Sequence, residues 1–232
     1  MGAGSMMKIS ASLYAADPLR LAEQIDAVAD HVDSLHIDIM DAAFTPEFGL
    51  CERLVRDVAN YTKLPLDVHL MLRHPAKAAV RFAEMGARSI AFHVEGDHSV
   101  SEISNAIRHN GSLAYVSLRH TTHVSELEQF CDYADGFLFL TAPAGGGPFD
   151  DAAFARLEGR PSGFPTTVDG KVGLGELKQM QSLGVDTAVL GAALFGSGDA
   201  STRSAEIAGL VRVQKQFPAL DANQAFIVDV NR

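Results

Sequence analysis

Short runs rich in β-branched residues alternate with longer amphipathic runs along most of the chain. Eight strand-like runs, each followed by a helix-like run at a spacing of about 25 residues, predict βα units and a parallel sheet. The predicted strands cover residues 8–14, 34–41, 65–72, 89–95, 112–118, 136–142, 166–169 and 187–190. Eight repeats are the number that closes a (β/α)8, or TIM, barrel, and we predict this α/β fold. An open doubly wound sheet uses the same elements, but no glycine-rich dinucleotide fingerprint follows the first strand.

The predicted helices cover residues 17–31, 50–60, 75–85, 100–108, 123–131, 150–157, 175–183 and 204–216. The chain has 232 residues, close to the length of about 250 that is typical of a single barrel. Residues 6–216 are predicted to form that barrel. Residues 1–5, which lack an apolar signal core, are interpreted as an expression leader. Residues 217–232 form a C-terminal extension to which the sequence assigns no role.

Charge and composition exclude several classes of function. The net charge of −10 comes without a basic stripe, so a nucleic-acid partner is not expected. No apolar run approaches the roughly 18 residues of a membrane span, and no membrane partner is expected. The two cysteines, Cys51 and Cys131, imply no disulfide framework, and a cytoplasmic location is expected.

The second predicted strand carries polar residues at alternate positions. Because side chains alternate between the two faces of a strand, His36, Asp38 and Met40 share one face. The opposite face carries Ile37 and Ile39, which suit contact with helices outside a barrel. The polar face therefore points into the barrel, where a histidine and an aspartate need partners.

The third and seventh predicted strands supply those partners. Asp67, His69 and Met71 share one face of the third strand, and Asp169 ends the seventh. The C-terminal ends of barrel strands meet at one mouth, where barrel enzymes have their active sites. Two imidazoles and two carboxylates that meet there suit one divalent ion such as Zn, Fe(II), Mn or Co.

Each of these residues also has an ordinary interpretation. One inward histidine is more often a hydrogen-bonded core residue, an aspartate at a strand end often caps a loop, and methionines often fill cores. The combination of His-x-Asp-x-Met, His-x-Met and a later Asp-Gly on separate strands favours a metal site over these alternatives.

From about Ile9 to Asp199 the sequence resembles the ribulose-phosphate 3-epimerase family. The resemblance rests on six blocks in the family's order, of which the second and third are the most specific. They are Ser10-Ala11-Ser12-Leu13, His36-Ile37-Asp38-Ile39-Met40-Asp41, Leu66-Asp67-Val68-His69-Leu70-Met71, His93-Val94-Glu95, Val168-Asp169-Gly170 and Gly191-Ala192-Ala193-Leu194-Phe195. The resemblance implies a barrel of the ribulose-phosphate-binding type and an isomerase.

The resemblance also implies roles for individual residues. The family's four metal ligands are matched by His36, Asp38, His69 and Asp169, and its acid–base pair is matched by Asp38 and Asp169. The expected substrate-binding residues are Ser12, Met40, His69, Met71, Gly145, Gly146, Gly170, Lys171, Gly191 and Ala192.

The implied reaction is epimerisation at C3 of a ketose phosphate, D-ribulose 5-phosphate to D-xylulose 5-phosphate or a close analogue. One aspartate removes a proton beside the ketone, a metal ion stabilises the enediolate, and the other aspartate returns a proton to the opposite face. The expected cofactor is one divalent metal ion, with no organic cofactor. The expected partner is a small phosphorylated ketose, and the chain is expected to form a homo-oligomer.

The sequence departs from the family where substrate is held. The loop after the sixth strand lacks the family's methionine but keeps three glycines at positions 145–147, which suit either a mobile lid or a flexible connection. Lys171 replaces a glycine and Ala192 a serine or asparagine, so Lys171 is either a phosphate contact or a solvated lysine. Arg119 and His120 end the fifth strand and suit either substrate recognition or the surface.

These departures leave alternatives open. An epimerase for another sugar phosphate, such as a tetrulose or hexulose phosphate, is the second candidate. A non-catalytic barrel that binds a sugar phosphate is the third, and the presence of both Asp38 and Asp169 disfavours it.

Overall fold

The computed structural model describes residues 6–196 and 198–212. Eight parallel strands run in chain order and close into a barrel, because the last strand pairs with the first. They are β1 (Lys8–Ser12), β2 (Ser34–Met40), β3 (Leu66–Met71), β4 (Ser89–His93), β5 (Leu113–Leu118), β6 (Gly136–Leu140), β7 (Thr166–Asp169) and β8 (Thr187–Leu190). The predicted TIM barrel is confirmed, and each observed strand lies within a predicted one.

Helices follow the strands and cover the outside of the barrel. They are α1 (Leu21–Val28), α2 (Glu52–Tyr61), α3 (Ala76–Glu84), α4 (Val100–His109), α5 (Ala153–Glu158), α6 (Leu174–Ser182), α7 (Ala192–Phe195) and α8 (Ala200–Arg212). Both faces of β2 and β3 are buried, as expected of strands with helices on one side and barrel interior on the other. In the part of the chain that the structure describes, no helix is long and apolar enough to cross a membrane.

Apart from shifted ends and the short helix α7, which was not predicted, the helical elements differ from the prediction in two places. The segment predicted as a helix over 123–131 is a 3-10 helix, Val124–Tyr133, which buries only Val124 and Leu127. So small an apolar face gives little tertiary support to an α-helix. Helix α8 begins four residues earlier than predicted, because the Asp199 carboxylate accepts hydrogen bonds from the backbone N–H and hydroxyl of Thr202. Its predicted end at residue 216, the leader and the C-terminal extension lie outside the described residues.

One contact recurs at the N-terminal end of the barrel. Asp33, Asp135 and Asp186 stand immediately before β2, β6 and β8. Each carboxylate accepts a hydrogen bond of 2.7–2.9 Å from a backbone N–H in the first or second residue of the neighbouring strand. These hydrogen bonds join adjacent strands at the N-terminal end of the barrel, opposite the candidate site.

The pairing of β2 with β3 decides which inward side chains are neighbours. Asp38 lies beside His69, and Met40 lies beside Met71. Each strand therefore presents a polar layer below an apolar layer at the C-terminal end of the barrel.

Asp67 lies on the inward face of β3, one layer nearer the N-terminal end than His69. Arg88 donates two hydrogen bonds to its carboxylate and Ser89 donates a third. Because its oxygens have these partners, Asp67 belongs to the packing of the barrel and not to the mouth.

The loop between β2 and α2 folds back against the C-terminal end of β2. The Gly49 N–H donates to the Met40 carbonyl at 3.2 Å, and the Leu50 N–H donates to the Asp38 carbonyl at 2.8 Å. A Cβ on Gly49 would lie 2.4 Å from both the Asp38 carbonyl oxygen and the Met40 nitrogen. Because these are backbone atoms, only movement of the strand or the loop would make room.

Gly49→Ala is therefore expected to lower the free energy of unfolding by about 2 kcal/mol or more. The matched control is Gly209→Ala in α8, where an added Cβ meets nothing within 4 Å and alanine is favoured by about 1 kcal/mol. Urea unfolding of both variants measures the difference. Unchanged stability of Gly49→Ala would contradict the close packing of loop on strand.

Candidate active site

Four side chains from three strands meet at the C-terminal end of the barrel. They are His36 and Asp38 of β2, His69 of β3 and Asp169 of β7. One potential ligand atom of each lies within 4.8 Å of the corresponding atom of every other. The structure therefore brings together the four residues that the sequence nominated as metal ligands.

The distances within this cluster are nearly uniform. His36 Nε2 lies 3.3 Å from Asp38 Oδ1 and 3.4 Å from Asp169 Oδ2. His69 Nδ1 lies 3.4 Å and 3.3 Å from the same two oxygens. A tetrahedral ion with bonds of about 2.1 Å has ligands about 3.4 Å apart, so the four atoms fit a single small cation.

Several of these atoms have no hydrogen-bond partner among the described residues. His36 Nε2, Asp38 Oδ1 and His69 Nδ1 are buried without a hydrogen-bond partner among the described residues. Polar atoms left in this state are costly unless a ligand satisfies them. Nitrogen and oxygen donors suit divalent transition metals, so the donor set and its unpaired atoms both fit such an ion.

The four residues of the cluster shift one another's pKa values. Burial alone would lower the pKa of His36, but the Asp38 and Asp169 carboxylates raise it well above its usual value. The same carboxylates raise the pKa of His69 against the effect of burial. Burial would raise the pKa of each aspartate, but His36 holds both below their usual range. A proton therefore occupies the cluster to a higher pH than a free imidazole would allow.

Metal binding is expected to release protons and to strengthen as pH rises. A cation must displace the proton of His36, and the raised pKa keeps that proton in place to higher pH, so affinity increases until the pH exceeds this pKa. Calorimetric titration with Zn²⁺ in buffers of different ionisation enthalpy measures the protons released.

The control for this prediction is a pair of histidine variants. His36→Ala should lower the bound metal measured by elemental analysis, whereas His109→Ala, on the exposed end of α4, should not. A full metal content in His36→Ala, or an affinity independent of pH from roughly 6 to 8, would refute the assignment.

A cavity of about 670 Å³ opens at the barrel mouth above the cluster. Asp38 and Asp169 form part of its lining, and the Ser12 hydroxyl donates a 3.1 Å hydrogen bond to Asp38 Oδ2. The predicted substrate contacts on its lining are Ser12, Met40, Met71, Gly145, Gly146, Gly170, Lys171, Gly191 and Ala192. His69 is fully buried beneath and does not form part of the lining.

One wall of the cavity is apolar. Met40 and Met71 line it and form a buried cluster with Phe44, against which Ala144 of the loop after β6 packs. In the same loop the Cα of Gly145 approaches Thr45 so closely that an added Cβ would lie 2.9 Å from the threonine Cβ. The loops after β2 and β6 therefore meet over the site.

The opposite end of the cavity carries charge. Lys171 adopts a left-handed conformation, with φ 56°, directly after Gly170 at φ 111°. Arg203 and Glu206 of α8 also line this end, although the sequence analysis did not nominate them. Both residues are far along the chain from Lys171, so no local sequence pattern indicates that they lie near it.

Comparison with protein families shows which family the chain belongs to. The family model described as the Ribulose-phosphate 3 epimerase family matches residues 8–195. The chain belongs to this family. It is therefore an isomerase, an epimerase of sugar phosphates.

Individual proteins agree with the family match. The ribulose-phosphate 3-epimerase of Aquifex aeolicus is 28% identical over 216 residues, which cover 89% of this chain and 97% of that protein. The enzyme of the same name from Bacillus subtilis is 29% identical over 215 residues, covering 88% and 99%. The crystal structure of 3-hexulose-6-phosphate synthase from Salmonella typhimurium has a TM-score of 0.70 at 18% identity, covering 88% and 98%, and shows the shared fold.

A second layer of polar residues lies behind the epimerase cluster. His69 Nε2 lies 2.9 Å from His93 Nε2, and His93 Nδ1 lies 3.3 Å from Glu95 Oε2. Glu95 Oε1 accepts hydrogen bonds from the Thr122 hydroxyl at 2.5 Å and the Arg119 backbone N–H at 2.8 Å. Sequence reasoning quoted His93 and Glu95 as a motif but gave them no role.

The protonation of this second layer follows from its burial. Burial lowers the pKa of His93 to about 4, so its ring is neutral near pH 7. Burial alone would raise the pKa of Glu95, but contact with His93 and the hydrogen bond from Thr122 lower it to about 2. A neutral imidazole therefore faces a carboxylate.

Arg119 does not line the cavity in the structure. Its guanidinium donates to the Phe44 carbonyl at 2.7 Å and lies 3.8 Å from the centre of the Phe44 ring. This residue therefore holds the loop after β2. The sequence left substrate recognition and a surface position open for Arg119 and His120, and substrate recognition by either residue stays untested.

Proposed function

We propose that the chain is a metal-dependent epimerase that inverts C3 of D-ribulose 5-phosphate or a close analogue. The observation that carries this proposal is the meeting of Asp38 and Asp169 with two histidines at one point of the mouth. Inversion of a carbon next to a ketone needs one group that removes a proton and another that returns it to the opposite face. Carboxylates held on separate strands, β2 and β7, can flank such a carbon.

The cluster would hold one divalent cation through His36, Asp38, His69 and Asp169. Zinc, iron(II), manganese and cobalt all accept this donor set. When bound, the ion supplies positive charge that stabilises the negative charge developing on the substrate as an enediolate.

The two aspartates would begin the reaction in different protonation states. One is ionised and removes the proton, and the other is protonated and donates. The Asp38 carboxylate opposes ionisation of Asp169, whereas His36 favours it and prevails in the free cluster. The donating aspartate would therefore gain its proton within the catalytic cycle. The Ser12 hydroxyl, bonded to Asp38 Oδ2, fixes the orientation of that carboxylate.

The methionine wall would protect the carbanionic intermediate. Met40 and Met71 are buried and line the cavity beside Asp38. Their apolar, polarisable side chains exclude water without competing for the proton. The glycine-rich loop after β6 would complete this cover as a lid.

The phosphate would lie at the charged end of the cavity. The candidate contacts are the backbone N–H groups of Gly170, Gly191 and Ala192 together with the ammonium of Lys171. A non-glycine residue with positive φ costs of order 1 kcal/mol relative to glycine. Glycine would therefore be more stable than Lys171 at this φ of 56°. The presence of a lysine supports a role for its charge.

A different sugar phosphate is the second candidate substrate. A cavity of about 670 Å³ has room for a ketose phosphate longer than a pentulose, and α8 contributes a cation, Arg203, to its lining. A panel of tetrulose, pentulose and hexulose phosphates with product stereochemistry distinguishes the two candidates. The cytoplasmic location and a homo-oligomeric state stay predictions, and the former rests on the two free cysteines.

Asp169→Asn is expected to lower kcat by about 10²–10⁴-fold, because an amide neither removes nor supplies the proton. The variant should also lose incorporation of solvent deuterium at the epimerised carbon, while its circular dichroism is unchanged. Asp30→Asn, at an exposed position, is the matched control. Near-normal turnover of Asp169→Asn would show that the proton passes through another group.

Lys171→Gly is expected to raise KM for the phosphorylated substrate by about 10-fold, the usual size of one lost charge-assisted contact. Its stability should not fall, because glycine accepts the positive φ of this position. Lys178→Ala on α6 is the control for loss of a lysine. A KM unchanged by Lys171→Gly would assign Lys171 to the solvated surface.

A further inference from the structure

The side of His69 that faces away from the cluster contacts a second imidazole. His69 Nδ1 points at Asp38 and Asp169, while its Nε2 lies 2.9 Å from His93 Nε2. Two ring nitrogens at this distance share a single hydrogen, carried by one of them. If His69 Nε2 carries it, the neutral His69 ring leaves Nδ1 bare for a cation. If His93 Nε2 carries it, the neutral His69 ring bears its hydrogen on Nδ1, where it blocks the site.

The choice between these arrangements is made on the far side of His93. Its Nδ1 lies 3.3 Å from Glu95 Oε2, and neither of these buried atoms has a hydrogen-bond partner of good geometry among the described residues, so each is available to the other. A carboxylate only accepts, so the hydrogen of His93 belongs on Nδ1 and its Nε2 is bare. The Ser117 hydroxyl lies 3.5 Å from His93 Nε2 but donates its hydrogen to the Leu138 carbonyl at 3.0 Å, so the shorter contact of this nitrogen is the one with His69.

The orientation of Glu95 is itself fixed. Its Oε1 receives two donors, the Thr122 hydroxyl and the Arg119 backbone N–H. Oε2 is therefore the oxygen left for His93. The loop that supplies both donors is anchored in turn, because the Arg119 guanidinium is bonded to the Phe44 carbonyl.

We propose that Glu95 is a positioning residue that acts through His93 to hold His69 in the tautomer whose bare Nδ1 faces the cation site. This proposal rests on the proposed metal centre, because only a bound cation gives the bare Nδ1 of His69 a function. The chain of contacts, from carboxylate to imidazole to imidazole, exists in the protein independently of any ion. It extends the usual pairing of a metal-ligating histidine with a carboxylate by one ring.

The substitution Glu95→Gln tests this chain of contacts because it replaces the hydrogen-bond acceptor that faces His93 with a donor. The glutamine oxygen takes the two donors that now bind Oε1, which leaves its NH₂ group facing His93 Nδ1. Nδ1 must then accept, the hydrogen of His93 moves to Nε2, and His69 is left with its hydrogen on Nδ1. Size and shape are almost unchanged, so the variant alters hydrogen-bond polarity more than packing.

Nitrogen-15 NMR of the histidine rings, with and without Zn²⁺, measures the tautomer directly. In the unmutated protein His93 is expected to be protonated on Nδ1, and in Glu95→Gln on Nε2. The Zn²⁺ affinity of Glu95→Gln, measured by chelator competition, is expected to be 10–100-fold weaker, the usual effect of losing a partner of a metal ligand. An Nε2-protonated His93 in the unmutated protein would overturn the proposal even if Glu95→Gln failed to fold.

Two further variants separate positioning from packing. Glu84→Gln, at an exposed site on α3, controls for the loss of a carboxylate and should change neither readout. Thr122→Val removes one bond to Glu95 but keeps the carboxylate, so His93 should stay protonated on Nδ1 and affinity should change by less than about 3-fold. Equal weakening by Thr122→Val and Glu95→Gln with His93 unchanged in both would assign Glu95 to packing alone.

The outcomes also separate this proposal from that of the metal centre. If the unmutated protein binds no divalent cation, the metal centre is wrong, yet the His93 tautomer of the metal-free protein still tests the contact chain. If it binds Zn²⁺ and Glu95→Gln binds it equally with an unchanged tautomer, the metal centre stands and the positioning role of Glu95 is wrong.

Discussion

Two carboxylates and two imidazoles meet at one point of the barrel mouth, and much of the structure serves to keep them there. Taken singly, each buried group would be costly, but together they supply opposite charges and shared ligand geometry. The pairing of β2 with β3 sets Asp38 beside His69, and closure of the barrel brings Asp169 to the same place. The close approach of Gly49 to β2 holds the strand end that carries Asp38.

The cavity above this point has an apolar side and a charged side. Met40 and Met71 give one side an apolar surface, while Lys171 and the backbone of Gly170 lie on the lining of the other side, where we propose that the phosphate binds. An overall charge of −10 is compatible with an anionic substrate because the local field of a small pocket differs from that of the whole surface. The family match and this division point to the same sugar-phosphate chemistry.

Behind the cluster, a buried chain of contacts joins His69 to His93 and Glu95. Because each neutral imidazole has one donor and one acceptor, the direction of one hydrogen bond fixes the next. The same loop that supplies the donors to Glu95 also carries Arg119, whose guanidinium contacts the Phe44 carbonyl and ring. The positions of the second layer and of the loop after β2 are therefore linked.

The sequence by itself determined the barrel, the inward faces of β2 and β3 and the four cluster residues, since strand alternation and the order of elements are local properties. Only the tertiary structure decided that His93 contacts His69, that Thr122 and Arg119 orient Glu95, and that α8 lines the cavity. These contacts join residues distant along the chain, and their distances depend on strand register, barrel closure and loop packing, which no periodic pattern encodes.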